Sequence, residues 1–276
     1  MPVVINTNVS SLAAQANLNK AQAMLATSFQ RLSSGYRINS AKDDAAGLAI
    51  SSKLNSNIRS NAAAERNAND GVSAAQIAEG ALGSMTDIVT RMRELAVQSS
   101  NGSYSSTDRS YLSQEFTALQ SELKRVMSTT KYAGTKLVAN ASTAIDFQVG
   151  INNTADDRIK VTFGGVQLST LVSVACKIST TAANAQTAIG TVDTALDRLS
   201  KYRSKYGAVI NRLEITTQNL QTERLNMAAA ASRIRDVDVA EEAASLSRNQ
   251  VLVSAGTSVL AQANQSTASA LSLLRG

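Results

Sequence analysis

After Pro2 the chain contains no proline, so nothing from residue 3 onward carries the missing amide and ring clash that break a helix. Long helices are permitted almost everywhere. The strongest periodicity starts at Ile189 and steps alternately by three and four through Val192, Leu196, Leu199, Arg203, Tyr206, Ile210 and Leu213 to Leu220, Met227 and Ile234. A sustained 3.5-residue repeat specifies a helix that packs along its whole length against other helices. At about 1.5 Å per residue, the stretch covers roughly 70 Å. Helices inside compact bundles average only three or four turns.

Partners for this seam lie upstream. Ala78, Leu82, Met85, Val89, Met92 and Ala96, beside Ile77, Ala81, Ser84, Ile88, Arg91 and Leu95, make one broad apolar face, and Leu112, Phe116, Leu119, Leu123 and Val126 make another. Between them residues 99–108, SSNGSYSSTD, read as a turn-rich connector in which Ser106 or Thr107 caps the next helix. From about Lys131 to Thr181 the helical period is lost. DFQVG (146–150) and RIKVTF (158–163) alternate like strands around INNTADD, which predicts a hairpin, and GGVQLSTL (164–171) predicts a further strand.

Charge sets the two ends apart. Residues 1–19 carry no charged side chain, and neither do residues 249–274. Both segments are nonetheless amphipathic, with Leu18, Leu25 and Leu32 recurring every seven residues, as do Leu246, Val253, Leu260, Thr267 and Leu274. A solvated helix face normally carries Lys, Glu and Arg; one of Ser, Asn, Gln and Thr suits burial on several sides, where an unpaired charge is costly. Alone, such a segment buries too little apolar area to offset its ordering entropy. It is expected to be disordered in the monomer and to fold on assembly.

Composition removes most chemistry. There is no His and no Trp, and Cys176 is the only cysteine, which excludes His-based triads, His-liganded zinc and an internal disulfide. Aromatic residues are 4%, too few to fill a compact globule of this length, so an elongated shape is expected. The +6 net charge is spread among interleaved acids and bases, with neither the basic face nor the aromatic platforms that nucleic acid requires. The start, MPVVINTNVSSLAAQ, does not read as a cleaved secretory signal, and the charge-free C-terminal run is too polar for a membrane span.

The paired carboxylates Asp43/Asp44, Asp156/Asp157 and Glu241/Glu242 point apart as sequence neighbours and read as turn, cap or solvated positions rather than an acid–base pair. No phosphate loop, CxxC or HExxH occurs. Cys176, in LVSVACKIST, reads as a small buried hydrophobe, and five Asn-x-Ser/Thr sequons are expected by chance in a chain this rich in those residues.

Specific strings go further. INTNVSSLAAQANLNKAQ (5–22), RLSSGYRINSAKDDAAGLAI (31–50), RNANDGVSAAQIAEGAL (66–82) and RELAVQSSNG (93–102), with SRIRDVDVAEEAASLSRNQVLVSAGTSVLAQANQ (232–265) and LSLLR (271–275), resemble the bacterial flagellins at both ends. Pro2 and Cys176 depart from the common pattern. The resemblance implies a mainly α fold in which both chain ends form a long antiparallel coiled-coil or helical-bundle rod, with a small β-hairpin patch in the middle. It implies terminal coiled-coil segments 1–42 and 237–276, a helical rod of 43–140 and 182–236, and a β tip at 141–181; the usual projecting domains are missing. It also implies a non-enzymatic, secreted subunit that polymerises into the flagellar filament for swimming.

On this reading Leu18, Leu25, Leu32, Leu246, Val253, Leu260 and Leu274 serve subunit assembly, together with Arg37, Asp43 and Asp44, which fall in RINSAKDD (37–44), the match to the spoke between terminal helix and rod. The implied partners are other copies, the type III flagellar exporter, filament cap and junction proteins, with no cofactor, nucleic acid or membrane insertion. Arg91, Leu95, Gln98 and Glu115 resemble the contact motif read by the animal Toll-like flagellin receptor, although Thr90 stands where Gln is common. Hook-associated junction proteins, which share these termini weakly, are the alternative.

Overall fold

The computed structural model describes residues 7–172, 176–178 and 181–275, apart from the side chains of residues 170, 172 and 266–275. The chain is mainly helical. In order, its elements are α1 (Val9–Ser34), α2 (Ala45–Ser100), α3 (Ser106–Thr129), β1 (Lys131–Tyr132), β2 (Thr135–Lys136), β3 (Ser142–Gln148), β4 (Arg158–Gly164), α4 (Ser169–Val172), α5 (Ala182–Arg235) and α6 (Val239–Arg275). They divide into two compact units, Asn57–Leu225 and a unit built from both ends, Met1–Ser56 with Asn226–Gly276. Helices α2 and α5 each contribute to both.

In the unit Asn57–Leu225, α2 and α5 run antiparallel. Ion pairs mark the register: Arg93–Asp193 at 2.6 Å, Arg203–Glu79 at 2.8 Å and Arg224–Glu65 at 2.9 Å. Exposed pairs of this kind add little stability each, but mispairing them disfavours a shifted register. The energy lies in the apolar seam. Leu82, Met85, Val89, Met92 and Leu95 of α2 and Val192, Leu199, Tyr206 and Leu213 of α5 are buried in one core with Phe116 and Leu123 of α3. Those positions keep the helical spacing expected from the repeat, and each fully buried large side chain contributes about 1.5–3 kcal/mol of transfer free energy.

Helix α3 is started by a capping box one residue earlier than expected. Ser105, rather than Ser106 or Thr107, accepts from the Asp108 backbone N–H, and Asp108 accepts in return from the Ser105 backbone N–H at 3.0 Å. The hydrogen bonds from Ser105 hold the Asp108 carboxyl below the ordinary carboxylate range. The pattern of a Ser followed three residues on by an acid was visible in the sequence.

The middle of the chain holds two hairpins. β3 pairs antiparallel with β4, from Ser142 against Gly164 to Gln148 against Arg158, around the expected turn. A shorter pair, β1 with β2, turns through Ala133 at φ 47° and Gly134 at φ 83°, two consecutive left-handed residues that suit a two-residue hairpin. The strand expected over residues 164–171 does not form. Gly164 and Gly165 take φ of 72° and 76°, which leaves the extended region. Their amides go to a loop instead, Gly164 N–H to Leu137 O and Gly165 N–H to Ala141 O, and the segment ends in the short α4.

Tyr206 ties the hairpin to the helices. It is fully buried, stacks on Phe163 with ring centroids 5.6 Å apart, and its hydroxyl accepts from Gly164 N–H at 3.2 Å while donating to Leu137 O at 3.4 Å. Cys176 is buried in the same core, where desolvation raises its thiol pKa, and Gln120 donates to the carbonyls of Leu171 and Cys176 at 2.8 and 3.0 Å. The thiol is thus a packing group, as its apolar neighbours implied.

Burial pushes the Tyr206 phenol up to about 12. Because the folded value lies above the unfolded one of about 10, its contribution is fully present below pH 10 and is lost as pH rises toward 12. Alkaline unfolding followed by circular dichroism should show a loss on the order of 2 kcal/mol across that window, absent in Tyr206→Phe. At neutral pH the same variant should cost about 1 kcal/mol, the net value of one buried hydrogen bond.

Candidate assembly surface

The unit built from both chain ends contains an antiparallel helix pair. Half-buried or buried positions on α1 are Ser11, Ala14, Leu18, Ala21, Leu25, Ser28 and Leu32, in three–four alternation, with Arg31 beside them; on α6 they include Leu246, Asn249, Val253, Gly256, Leu260 and Ala263. The leucines and valine foreseen from the seven-residue repeat therefore form one column of the seam. The second column is small or polar, Ala14, Ala21 and Ser28 on α1 with Asn249, Gly256 and Ala263 on α6, and a reading that counted only large apolar residues missed it. The side chain of Leu274 lies outside the described residues.

Small residues let the two backbones approach. A Cβ added to Gly256 would stand 3.2 Å from Leu18 Cδ1 and 3.8 Å from Leu18 Cβ, so this glycine makes the room that Leu18 fills. Polar contacts fix the ends of the pair. Asn8 caps α1 through the Ser11 backbone N–H and donates its side-chain amide to Ala263 O at 2.8 Å, while Ser11 Oγ reaches Asn264 Oδ1 at 2.8 Å. At the other end Arg31 lies 3.5 Å from Glu242.

Pairing leaves much apolar surface uncovered. Leu12 is 57% exposed and Phe29 51% on α1, while Val251 is 67% and Val259 58% exposed on α6. A shallow groove lined by Leu18, Ala21, Met24, Leu252, Gly256 and Val259 runs between the helices. A helix pair with no charge along most of its length and bare side chains of this size is a surface awaiting cover.

The connectors between α1 and α2 and between α5 and α6 lock together. Arg37 N–H donates to Arg235 O at 2.7 Å, Val237 N–H to Gly35 O at 3.0 Å, and the Arg37 guanidinium to Ile234 O at 2.7 Å. The Arg235 guanidinium stacks 4.1 Å over the Tyr36 ring. Asp43 Oδ2 accepts from the backbone N–H groups of Asn39 and Ser40 at 3.2 and 2.9 Å, bonds that hold its carboxyl below the ordinary range. Asp44 Oδ1 accepts from Gly47 N–H at 2.8 Å in the first turn of α2, and a Cβ on Gly47 would collide with Asp44 and Ile38. These acids are a turn and a cap, as adjacent carboxylates suggested.

The candidate receptor residues lie in the other unit. Arg91 bridges Glu94 and Glu115, each at 2.8 Å, and the bond to Glu115 is the main cause of its raised pKa. Gln98 donates to the Tyr104 hydroxyl at 3.1 Å. Leu95 is only 1% exposed and belongs to the core, so it supports this surface from beneath. Among the described residues, no cluster of three His, Cys, Asp or Glu side chains is placed to hold a metal ion, and no helix is long and apolar enough to cross a membrane.

Residues 5–143 match the bacterial flagellin N-terminal helical region, and residues 189–274 match the bacterial flagellin C-terminal helical region. The chain belongs to the bacterial flagellin family. It is 42% identical to a flagellin of Halalkalibacterium halodurans over 278 residues, covering 99% of this chain and all of that protein. It is 39% identical over 293 residues to the flagellar filament 33 kDa core protein of Treponema phagedenis, again with 99% and full coverage. A crystal structure of Bacillus cereus flagellin superposes with a TM-score of 0.50 at 28% identity, over 60% of this chain and 94% of that one. This flagellin is a structural subunit of the filament of the bacterial flagellum. The α1–α6 pair and its connectors lie within the two matched regions.

Gly256 offers a direct test of the seam. Replacing Gly256 by Leu should force α1 away from α6 and raise the critical concentration for polymerisation, read by sedimentation, by about tenfold or more, since overpacking costs about 1–3 kcal/mol. Gly256→Ala, a single methyl against a mobile Leu18 terminus, should shift it far less.

Proposed function

We propose that this flagellin leaves the cell through the flagellar type III exporter as an unfolded chain and polymerises outside it beneath the filament cap. The structural proteins among its relatives support a non-catalytic role. The segments 1–42 and 237–276 form the inner tube, 43–140 and 182–236 the surrounding rod, and 141–181 the tip. Leu18, Leu25, Leu32, Leu246, Val253, Leu260 and Leu274 join subunits, and Arg37, Asp43 and Asp44 fix the connector.

The observation that carries this reading is the bare outer face of α1 and α6, where large apolar residues lie exposed on helices almost without charge. Covering them with surfaces of neighbouring copies supplies the free energy of assembly, at about 25 cal/mol per Å² of apolar area. Before assembly those helices bury too little to hold themselves, and we propose that they order only on docking.

Two experiments test this. Deleting residues 237–276 should abolish polymerisation seeded with filament fragments; a truncated chain that still elongates filaments would remove the terminal helices from the mechanism. Hydrogen exchange on the dilute, unassembled chain should find residues 7–34 and 239–265 unprotected while Leu82, Phe116 and Tyr206 amides exchange slowly.

Arg91, Gln98 and Glu115 form an exposed polar surface over Leu95, and we propose it as the contact for the Toll-like flagellin receptor. Arg91→Ala removes two bridges and the charge, and should lower receptor activation by unassembled protein while filaments still form.

A further inference from the structure

The charges of the terminal unit are gathered in one place. Along α1, and along α6 as far as Gln265, every charged side chain, Lys20, Arg31, Glu241, Glu242 and Arg248, lines a single open groove of about 730 Å³. Arg37, Asp236 and Asp238 from the connectors join them, giving four cations and four anions. Most of these are unmatched. Among the described residues Arg31 with Glu242 is the one ion pair in this group, at 3.5 Å, and Asp238 is taken up by the first backbone amides of α6. Lys20, Arg248, Asp236 and Glu241 make no side-chain bond to any described residue.

The groove also holds polar side chains that no hydrogen bond within the described chain takes up. Ser28 is 4% exposed and Asn249 8% exposed; both line the groove, and neither side chain makes a hydrogen bond to a described residue. Arg31 Nε is buried and unpartnered as well. Leaving a buried donor such as Arg31 Nε unmade is costly, and an occupant that supplies an acceptor there removes the cost.

We propose that this groove is a docking site for a second copy of the chain, and that the docked segment is residues 40–53, carrying Lys42, Asp43, Asp44 and Lys53. The proposal rests on the filament reading and deepens it. Contacts that propagate a helical polymer are heterologous, so the groove must meet a different surface of the next copy. Within the terminal unit that segment is the exposed surface bearing both signs outside the groove. Lys42 and Lys53 are exposed and make no bond to a described residue. Asp43 and Asp44 use one oxygen each on their own backbone, Oδ2 and Oδ1, leaving the other oxygen of each to accept from an arginine. The turn that presents them is already held by its own hydrogen bonds, which lowers the ordering cost of docking.

Charge exchange tests this directly. In seeded polymerisation, Glu241→Lys and Lys42→Glu should each raise the critical concentration about tenfold or more, because like charges are brought together, and the double variant should return to within a few-fold of the parent. Normal polymerisation by Glu241→Lys would overturn the groove as an interface. Two defective single variants with no recovery in the double variant would overturn residues 40–53 as its occupant. A parent chain that forms no filaments would instead strike at the assembly reading itself.

Discussion

The pairing of α1 with α6 is a contact that half succeeds, and the behaviour of the terminal unit depends on that. The seam works because one column is leucine and valine and the other is alanine, serine, asparagine and glycine, so that Gly256 admits Leu18 and the backbones come close. Two helices can shield only the faces they turn toward each other. The remaining arc of each still carries residues such as Leu12, Phe29, Val251 and Val259 in water. Adding charge there would make the pair soluble alone and would bar it from a close-packed lattice, because a buried charge without a partner is far costlier than a buried serine or asparagine. The uncharged polar composition is what lets one surface tolerate solvent briefly and burial permanently.

The unit Asn57–Leu225 solves the opposite problem. Its helices bury a continuous apolar core, keep their charges on the outside as inter-helix ion pairs, and carry a hairpin fastened by Tyr206. On the proposed assembly, the stability of the terminal unit is linked to polymer concentration, since anything that binds only the ordered state stabilises it by mass action. Local opening free energies near zero at the ends and near the global value in the core are the expected signature.

Much of this was legible in the residues. Unbroken helices follow from the missing prolines, and the heptad from Ile189 to Ile234 falls inside α5, which runs Ala182–Arg235. The β3–β4 hairpin follows from alternation around a polar turn. What escaped was governed by backbone geometry or by small residues. Nothing in the alternation of GGVQLSTL reveals that Gly164 and Gly165 turn left-handed and surrender their amides to a loop. Periodicity marks large side chains and is silent about Gly256 or Ala21, whose contribution is the space they leave. The buried hydrogen bonds of Gln120 and Tyr206 span 51 and 69 residues of sequence, beyond the reach of any local pattern.

The same contrast explains where charge is allowed in the terminal unit. If the helices faced solvent throughout, scattering Lys and Glu along them would cost nothing; if they were buried throughout, even Lys20 and Arg248 would be excluded. The gathering of those residues with Glu241 and Asp236 around one groove, over an unpartnered Ser28 and Asn249, fits neither limit. It fits a lattice in which most of the helix surface meets apolar or neutral neighbours and one stretch meets a charged one. Apolar area then supplies the bulk of the attraction without specifying register, because it is non-directional. A mixed-charge contact supplies what it lacks, a penalty for every wrong alignment along an otherwise slippery helix face.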